Sequence, residues 1–179
     1  MARSPRRLTV GERTYLRLPS ARDQRDFLSL VRASKKLHAG WVVAPSTPKQ
    51  FREYLSRMRK RNARALFVCR LEDDALVGVV NLSQIVRGPL LSAYVGYWAF
   101  APHARRGYMT EGLRLVLRHA FGPMRLHRLE ANIQPANPRS IALVKRCGFR
   151  NEGFSPRYVK IAGRWRDHER WAITAEETR

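Results

Sequence analysis

The sequence predicts one α/β (α+β) domain, and a strand, a helix, a second strand and a hairpin carry that reading. Residues 92–100 are aromatic and β-branched, as a buried strand requires, and Pro102 forbids its continuation. Met109, Leu113, Val116, Leu117 and Ala120 then recur at helical spacing, with Arg114 and Arg118 on the other side. Residues 129–134 form a second strand that gives way to a second helix, and residues 65–71 and 75–82 are hydrophobic runs joined at Glu72-Asp73-Asp74, the pattern of a hairpin. With 179 residues, 44% of them hydrophobic, the chain is long enough for one well-filled domain and too short for two ordinary ones. That domain is expected over residues 8–179, behind a basic, mobile arm at residues 1–7.

The remaining elements follow in order. Residues 14–18 alternate as a first strand, which Pro19-Ser20 stops. Ser20 suits the N-cap of a helix with Phe27, Leu28, Leu30 and Val31 facing inward, ending near Ser34. Residues 35–46, with Trp41 and Pro45, read as a loop. Thr47-Pro48 is a strong helix start, because the hydroxyl caps the helix and proline occupies a position that needs no amide donor. That helix points Phe51, Tyr54, Leu55 and Met58 inward and Arg52, Arg57, Arg59, Lys60 and Arg61 outward. Asn137 and Pro138 open a short helix with Ile141, Val144 and Cys147 on one face, and Gly148 lies just past its end. Residues 154–173 should form two strands around the Ala162-Gly163 turn.

Charge is the one extreme property: 35 Lys plus Arg against 14 Asp plus Glu, a net +21. Such an excess draws polyanions and gives salt-dependent affinity for nucleic acid. Compositional drift accounts for arginine outnumbering lysine, but not for the shortage of acids. No apolar run approaches the length that crosses a bilayer, and the first residues lack a signal peptide's apolar core, so a cytoplasmic protein without membrane contact is expected. Cys69 and Cys147 are far apart and read as buried reduced thiols. His38, His103, His119 and His127 share no spacing, so no metal is expected.

The stretch His103-Ala104-Arg105-Arg106-Gly107-Tyr108-Met109-Thr110-Glu111-Gly112 joins the central strand to its helix through a tight glycine turn. The first helical turn leaves amides without partners, and the peptide dipoles make that end electropositive, so an anion such as a phosphate can dock there. Gly107 permits close backbone approach, and Arg105 and Arg106 add charge. An ordinary strand-to-helix connection is the bland alternative.

Downstream, the second strand leads into Asn137-Pro138-Arg139-Ser140, a helix, and Gly148-Phe149-Arg150-Asn151-Glu152-Gly153. In this order and spacing the motifs resemble the GCN5-related N-acetyltransferases. Residues 85–88, Gly96-Tyr97-Trp98, residues 107–111 and residues 163–168 are similar to those of the RimJ-type ribosomal-protein-alanine N-acetyltransferases, and the resemblance spans roughly residues 8–174. It implies a mixed, largely antiparallel central sheet with a splayed parallel strand pair, flanked by helices, and acetyl-coenzyme A as co-substrate. The amides of Arg105, Arg106, Gly107, Tyr108, Met109 and Thr110 would take the pyrophosphate. The backbone of Trp98, Ala99 and Phe100 would pair with the pantetheine arm as though it were another strand, with Asn137 bonding a pantetheine amide. Many relatives begin the glycine-turn motif with Gln or Arg, where this chain has Ala104; Arg105 and Arg106 can supply that charge.

Acetyl transfer to an amine needs a held donor, an unprotonated amine and a proton for the departing thiolate. The resemblance offers Ser140 as the proton donor, against a plain role as a first-turn helix serine. For the base, Glu130 lies on the strand beside the cofactor, where an exposed strand carboxylate is the simpler account, and His168, next to Asp167, is of a type that titrates near neutral pH. Glu111 in the first helical turn suits support of that helix. An α-amine, with a pKa of about 7.7 to 8.0, needs only a weak base. The expected activity is direct acetyl transfer, in a ternary complex, to the N-terminal amine of an Ala- or Ser-initiated protein, by resemblance a ribosomal protein. Ribosomal RNA or ribosome association through the basic surface would accompany it. Rival readings are a small-amine (aminoglycoside-like) acetyltransferase, which a +21 protein disfavours by repelling polycations, and a ribosome- or RNA-binding assembly factor with little catalysis.

Overall fold

The structure, a computed structural model, describes residues 6–178. Its elements run β1 (Arg7–Val10), β2 (Thr14–Arg17), α1 (Gln24–Ala33), α2 (Lys35–His38), α3 (Pro48–Met58), β3 (Arg64–Arg70), β4 (Leu76–Val86), β5 (Ser92–Ala99), α4 (Tyr108–Phe121), β6 (Arg128–Ile133), α5 (Pro138–Arg146), β7 (Arg150–Ile161) and β8 (Arg164–Thr174). One eight-stranded sheet, in the order β1-β2-β3-β4-β5-β6-β8-β7, holds them together. Every neighbouring pair is antiparallel except β5 and β6.

That parallel pair is short. It joins Ser92 to Arg128, Ala93 to Leu129 and Tyr94 to Glu130, after which the strands part and β5 continues to Ala99 without β6. This is the splay that the resemblance implies.

The continuous hydrophobic runs of β3 and β4 follow from burial on both faces. Along β3, Ala65, Phe67 and Cys69 pack into a cluster with Phe27 of α1 and Phe51 and Tyr54 of α3, while Leu66 and Val68 pack into the cluster of Leu113, Val116 and Leu117 of α4 and Val144 of α5. Helices therefore cover both sides of the sheet. Both cysteines are buried and unbridged. Among the described residues no helix is long and apolar enough to cross a membrane.

Caps and turns fall where the sequence puts them. Thr47 Oγ1 accepts from the Gln50 amide at 3.2 Å, Asn137 Oδ1 from the Ser140 amide at 3.2 Å, and Gly148 takes the left-handed φ of +89° that ends α5. Three features differ from expectation. The arm expected at residues 1–7 lies outside the described residues up to residue 5, but Arg7 already opens β1, which folds back on β2 through a turn in which the Gly11 amide donates to the Thr14 carbonyl at 2.8 Å. The stretch read as a loop from residue 35 begins with a helical turn, α2, because the His38 amide reaches the Ser34 carbonyl at 3.0 Å and no glycine or proline intervenes before Gly40. Ahead of α1, Ser20 opens a short 3-10 turn, Ala21–Asp23, and its own amide donates to Asp23 Oδ2 at 2.7 Å.

Candidate active site

The β5-to-α4 connection is shaped by left-handed backbone. Arg105 has φ +61° and Gly107 φ +81°; the alternation turns successive amides toward one concave side, as in an anion-binding nest. Among the described residues, the amides of Arg105, Arg106, Gly107, Tyr108 and Met109 have no hydrogen-bond acceptor, whereas those of Thr110 and Glu111 close on the Gly107 carbonyl at 3.0 and 3.2 Å. Arg13 crosses behind this turn. Its Nη2 donates to the Arg106 carbonyl at 3.0 Å, its guanidinium lies 4.6 Å above the Tyr108 ring, and it would press at 3.2 Å on any Cβ placed at Gly107.

Glu111 fixes the arrangement from the helix side. Its Oε1 accepts the backbone amides of Arg13 at 2.9 Å and Thr14 at 3.0 Å. Partial burial raises its pKa, but those amides outweigh burial and hold the carboxyl below the usual glutamate range. The support that the sequence assigns to Glu111 thus extends beyond its own helix to the β1–β2 turn.

On the strand side, the Phe100 amide donates to the Val77 carbonyl of β4 at 2.8 Å. Since backbone groups alternate along a strand, those of Tyr97 and Ala99 face the opposite edge, the one that β6 has left. The Ala99 carbonyl there accepts from His38 Nε2 at 2.8 Å. From the other arm of the splay, Gln134 Nε2 donates to the Gly40 carbonyl at 3.1 Å. The segment between His38 and Val42 is therefore strapped across the opening from both sides, carrying Trp41.

Two cavities meet under this strap. The first, about 570 Å³, is walled by Trp98, Ala99 and every residue from Arg105 to Thr110. The second, about 290 Å³, reaches Asn132, Ile161 and His168. Trp41, Val42, Tyr97, Trp98, Asn137 and Ser140 wall both. At this junction the Tyr97 hydroxyl and Ser140 Oγ lie 2.7 Å apart, either able to donate to the other, and the Ser140 carbonyl lies 3.2 Å from the same phenol as its alternative acceptor. Burial pushes the Tyr97 phenol well above its ordinary pKa, so it keeps its proton at neutral pH. Polar atoms without a partner among the described residues gather around the cavities: Nε1 of Trp98, Nδ1 of His103 and Oδ1 of Asn132.

The residues singled out from sequence line the cavities with two exceptions, and Trp98 does so without the expected backbone role, because its main-chain groups face Val79 of β4 and not the open edge. Phe100 is not in either wall: the chain turns at Ala101-Pro102, its amide and carbonyl bond to Val77 and His103, and its fully buried ring packs edge-on to Phe27 at 5.7 Å. Glu130 also lies apart. It sits opposite Tyr94, where the parallel strands still pair, and its Oε1 accepts from Arg128 Nε at 2.9 Å in a surface network with Glu152. His168 is buried in the second cavity, and Asp167 turns away to accept the Arg157 amide at 2.7 Å. The Arg166 carbonyl, an acceptor only, lies 2.9 Å from His168 Nδ1, so that nitrogen carries a hydrogen and, in the neutral ring, the lone pair is on Nε2. Sequence reasoning missed Tyr97 as a site residue, although Gly96-Tyr97-Trp98 was a motif, and missed His38 and Trp41, which sit in a stretch with no periodic signal.

A parallel pair that splays around an amide nest is the framework of the GNAT acetyltransferases. Residues 13–150 match the family described as acetyltransferase (GNAT) domain, and the chain belongs to it: it is an N-acetyltransferase of a fold that uses acetyl-coenzyme A. Among its relatives, the probable N-acetyltransferase YjcK of Bacillus subtilis is 36% identical over 154 residues, 84% of this chain and 82% of that one. The ribosomal protein uS5-alanine N-acetyltransferase of Escherichia coli is 36% identical over 106 residues, 59% of this chain and 55% of that enzyme. Among solved structures, Mycobacterium smegmatis RimJ in complex with CoA-disulfide superposes with a TM-score of 0.87 at 29% identity, covering 94% of this chain and 88% of that one.

Proposed function

We propose that this enzyme acetylates the N-terminal α-amine of a protein, and that the protein is a ribosomal one with an Ala or Ser start. The observation that carries the reading is the junction of the two cavities at the Tyr97–Ser140 hydroxyl pair, with a nest of free amides at one end and an acceptor chamber at the other. The nest fits the pyrophosphate of acetyl-coenzyme A, with Arg105 and Arg106 adding charge. The open edge at Tyr97 and the Ala99 amide, beside Trp98, fits the pantetheine arm, the Ala99 carbonyl being held by His38. Asn137 keeps its Nδ2 for the same arm while Oδ1 caps α5.

In the reaction the neutral amine attacks the thioester carbonyl, forming the C–N bond. His168 Nε2, directly or through one water, takes the amine proton, and the C–S bond breaks with the electron pair leaving on sulfur. Ser140, backed by the protonated Tyr97 phenol, donates a hydrogen bond to that thiolate, which takes its proton from solvent on release. No covalent enzyme intermediate is needed.

The acceptor chamber selects the substrate class. Among the described residues no Asp or Glu lines the second cavity, so a polycationic small amine would find no partner for its further charges. An α-amine followed by a small side chain carries one charge and sheds it near neutral pH. The similarity to the uS5-alanine enzyme supports a ribosomal-protein N-terminus as the acceptor. Steady-state turnover with acetyl-coenzyme A tests this: an Ala- or Ser-initiated peptide should be acetylated, and an aminoglycoside should not. The reverse preference would reject the reading.

A further inference from the structure

The β7–β8 hairpin carries charged and aromatic surface that acetyl transfer does not use. β7 is the edge strand of the sheet, and beyond an irregularity that includes Arg157 (φ +48°) the hairpin pairs Val159 with Arg166, Lys160 with Trp165 and Ile161 with Arg164. Arg157, Lys160, Arg164 and Arg166 are exposed, and among the described residues none of them forms an ion pair. Asp167, the nearest carboxylate in sequence, is turned to the Arg157 backbone amide instead of a guanidinium. Trp165 is 60% exposed and stands directly opposite Lys160. Ile161, next to the turn, walls the acceptor cavity, so this tip adjoins it.

An indole left in water is unusual, and its neighbours decide what covers it. A protein interface takes up tryptophan and arginine but depletes lysine, and it would have to supply acids for all of these unpaired cations at once. A nucleic-acid duplex would offer phosphates but no unstacked base for the indole. An unpaired strand offers both, because cations track its phosphates while a base stacks on the ring. We propose that the β7–β8 tip grips a single-stranded stretch of RNA, with Trp165 stacking on a base, Lys160 beside it on the same face, and Arg164 and Arg166, on the alternate face of the hairpin, meeting phosphates where the strand passes the tip. The inference rests on the ribosomal acceptor proposed above, and it places that acceptor's N-terminus beside the RNA from which it emerges.

The test is fluorescence anisotropy with a short, unstructured, labelled oligoribonucleotide, with polyglutamate as competitor. Trp165→Ala changes neither net charge nor core; it should weaken RNA binding by about fivefold or more, and Trp165→Phe should restore most of it. The Lys160/Arg164/Arg166→Ala triple variant should reduce the slope of log affinity against log salt by about 2. Turnover of a free Ala-initiated peptide should be unchanged in Trp165→Ala and reads the acetyl transfer separately. Equal RNA affinity for wild type and Trp165→Ala overturns the contact, whatever the triple variant does, as does polyglutamate displacing RNA equally well from both. Either result with peptide turnover intact leaves the proposed acceptor standing.

Discussion

At the scale of single residues, the site, on the proposed reading, separates binding from chemistry. Gly107 holds a left-handed φ of +81° with Arg13 at 3.2 Å from where a Cβ would be, so Gly107→Val should twist the nest and raise the acetyl-coenzyme A dissociation constant at least tenfold, about 1.4 kcal/mol. Calorimetry on the folded variant checks this. Ser140→Ala and Tyr97→Phe should act the other way, lowering kcat by roughly 10- to 100-fold with donor affinity nearly intact, since a hydrogen bond to the departing thiolate strengthens only in the transition state. His168→Gln should cost about 100-fold in kcat/KM, and Glu130→Gln should cost little, because Glu130 is tied to Arg128 away from both cavities. A large loss for Glu130→Gln would return the base to that carboxylate.

At the scale of elements, one carboxylate supplies the backbone hydrogen bonds that link α4 to the β1–β2 turn. Glu111→Gln should lower stability by about 1–3 kcal/mol at neutral pH, by weakening two charge-assisted bonds to backbone amides. The pH dependence has a fixed sign. Glu111's folded pKa lies below its unfolded value, so its contribution is complete above the unfolded value and is lost as pH falls through the folded one. Thermal melts of the two proteins should therefore differ at pH 7, and the difference should shrink only as the pH falls below the unfolded glutamate value of about 4.3. In the core beneath, a Cβ at Gly112 would come within 2.6 Å of Val68 Cγ1, so Gly112→Ala should cost about 1–3 kcal/mol in denaturant unfolding. The elements were largely readable from sequence wherever local rules decide them. Thr47-Pro48 and Asn137-Pro138 announce their helices, and residues 92–100 their strand. β1 was not readable because Arg6 and Arg7 look like an arm until the Glu111 contact, 98 residues away from Arg13, holds its turn in place. The nest was legible in Gly107 for a local reason, whereas Tyr97, His38 and Trp41 enter the site only through long-range contacts, to Ser140, Ala99 and across the splay. Glu130 lies outside both cavities because proximity along β6 says nothing of where the strands part.

At the scale of the whole molecule, the net charge of +21 poses a conflict, since ribosomal proteins are themselves basic and a free one would be repelled. On the proposed reading, RNA in an assembling particle would resolve it by neutralising both partners. Arg52, Arg57, Arg59 and Arg61 stand exposed on and just beyond α3, and among the described residues none forms an ion pair, so this face adds to any such attraction. Affinity for ribosomal particles should fall steeply between low and moderate salt while acetylation of a free peptide changes little. Particle binding no more salt-sensitive than peptide turnover would reduce the charge to compositional drift. The central claim, acetylation of a ribosomal protein's α-amine, is tested most directly by mass spectrometry of ribosomal proteins from cells with and without this enzyme. The account predicts that an Ala- or Ser-initiated ribosomal protein loses one acetyl group, located on its N-terminal amine, when the enzyme is absent; ribosomal N-termini that are identical in both cells would contradict it.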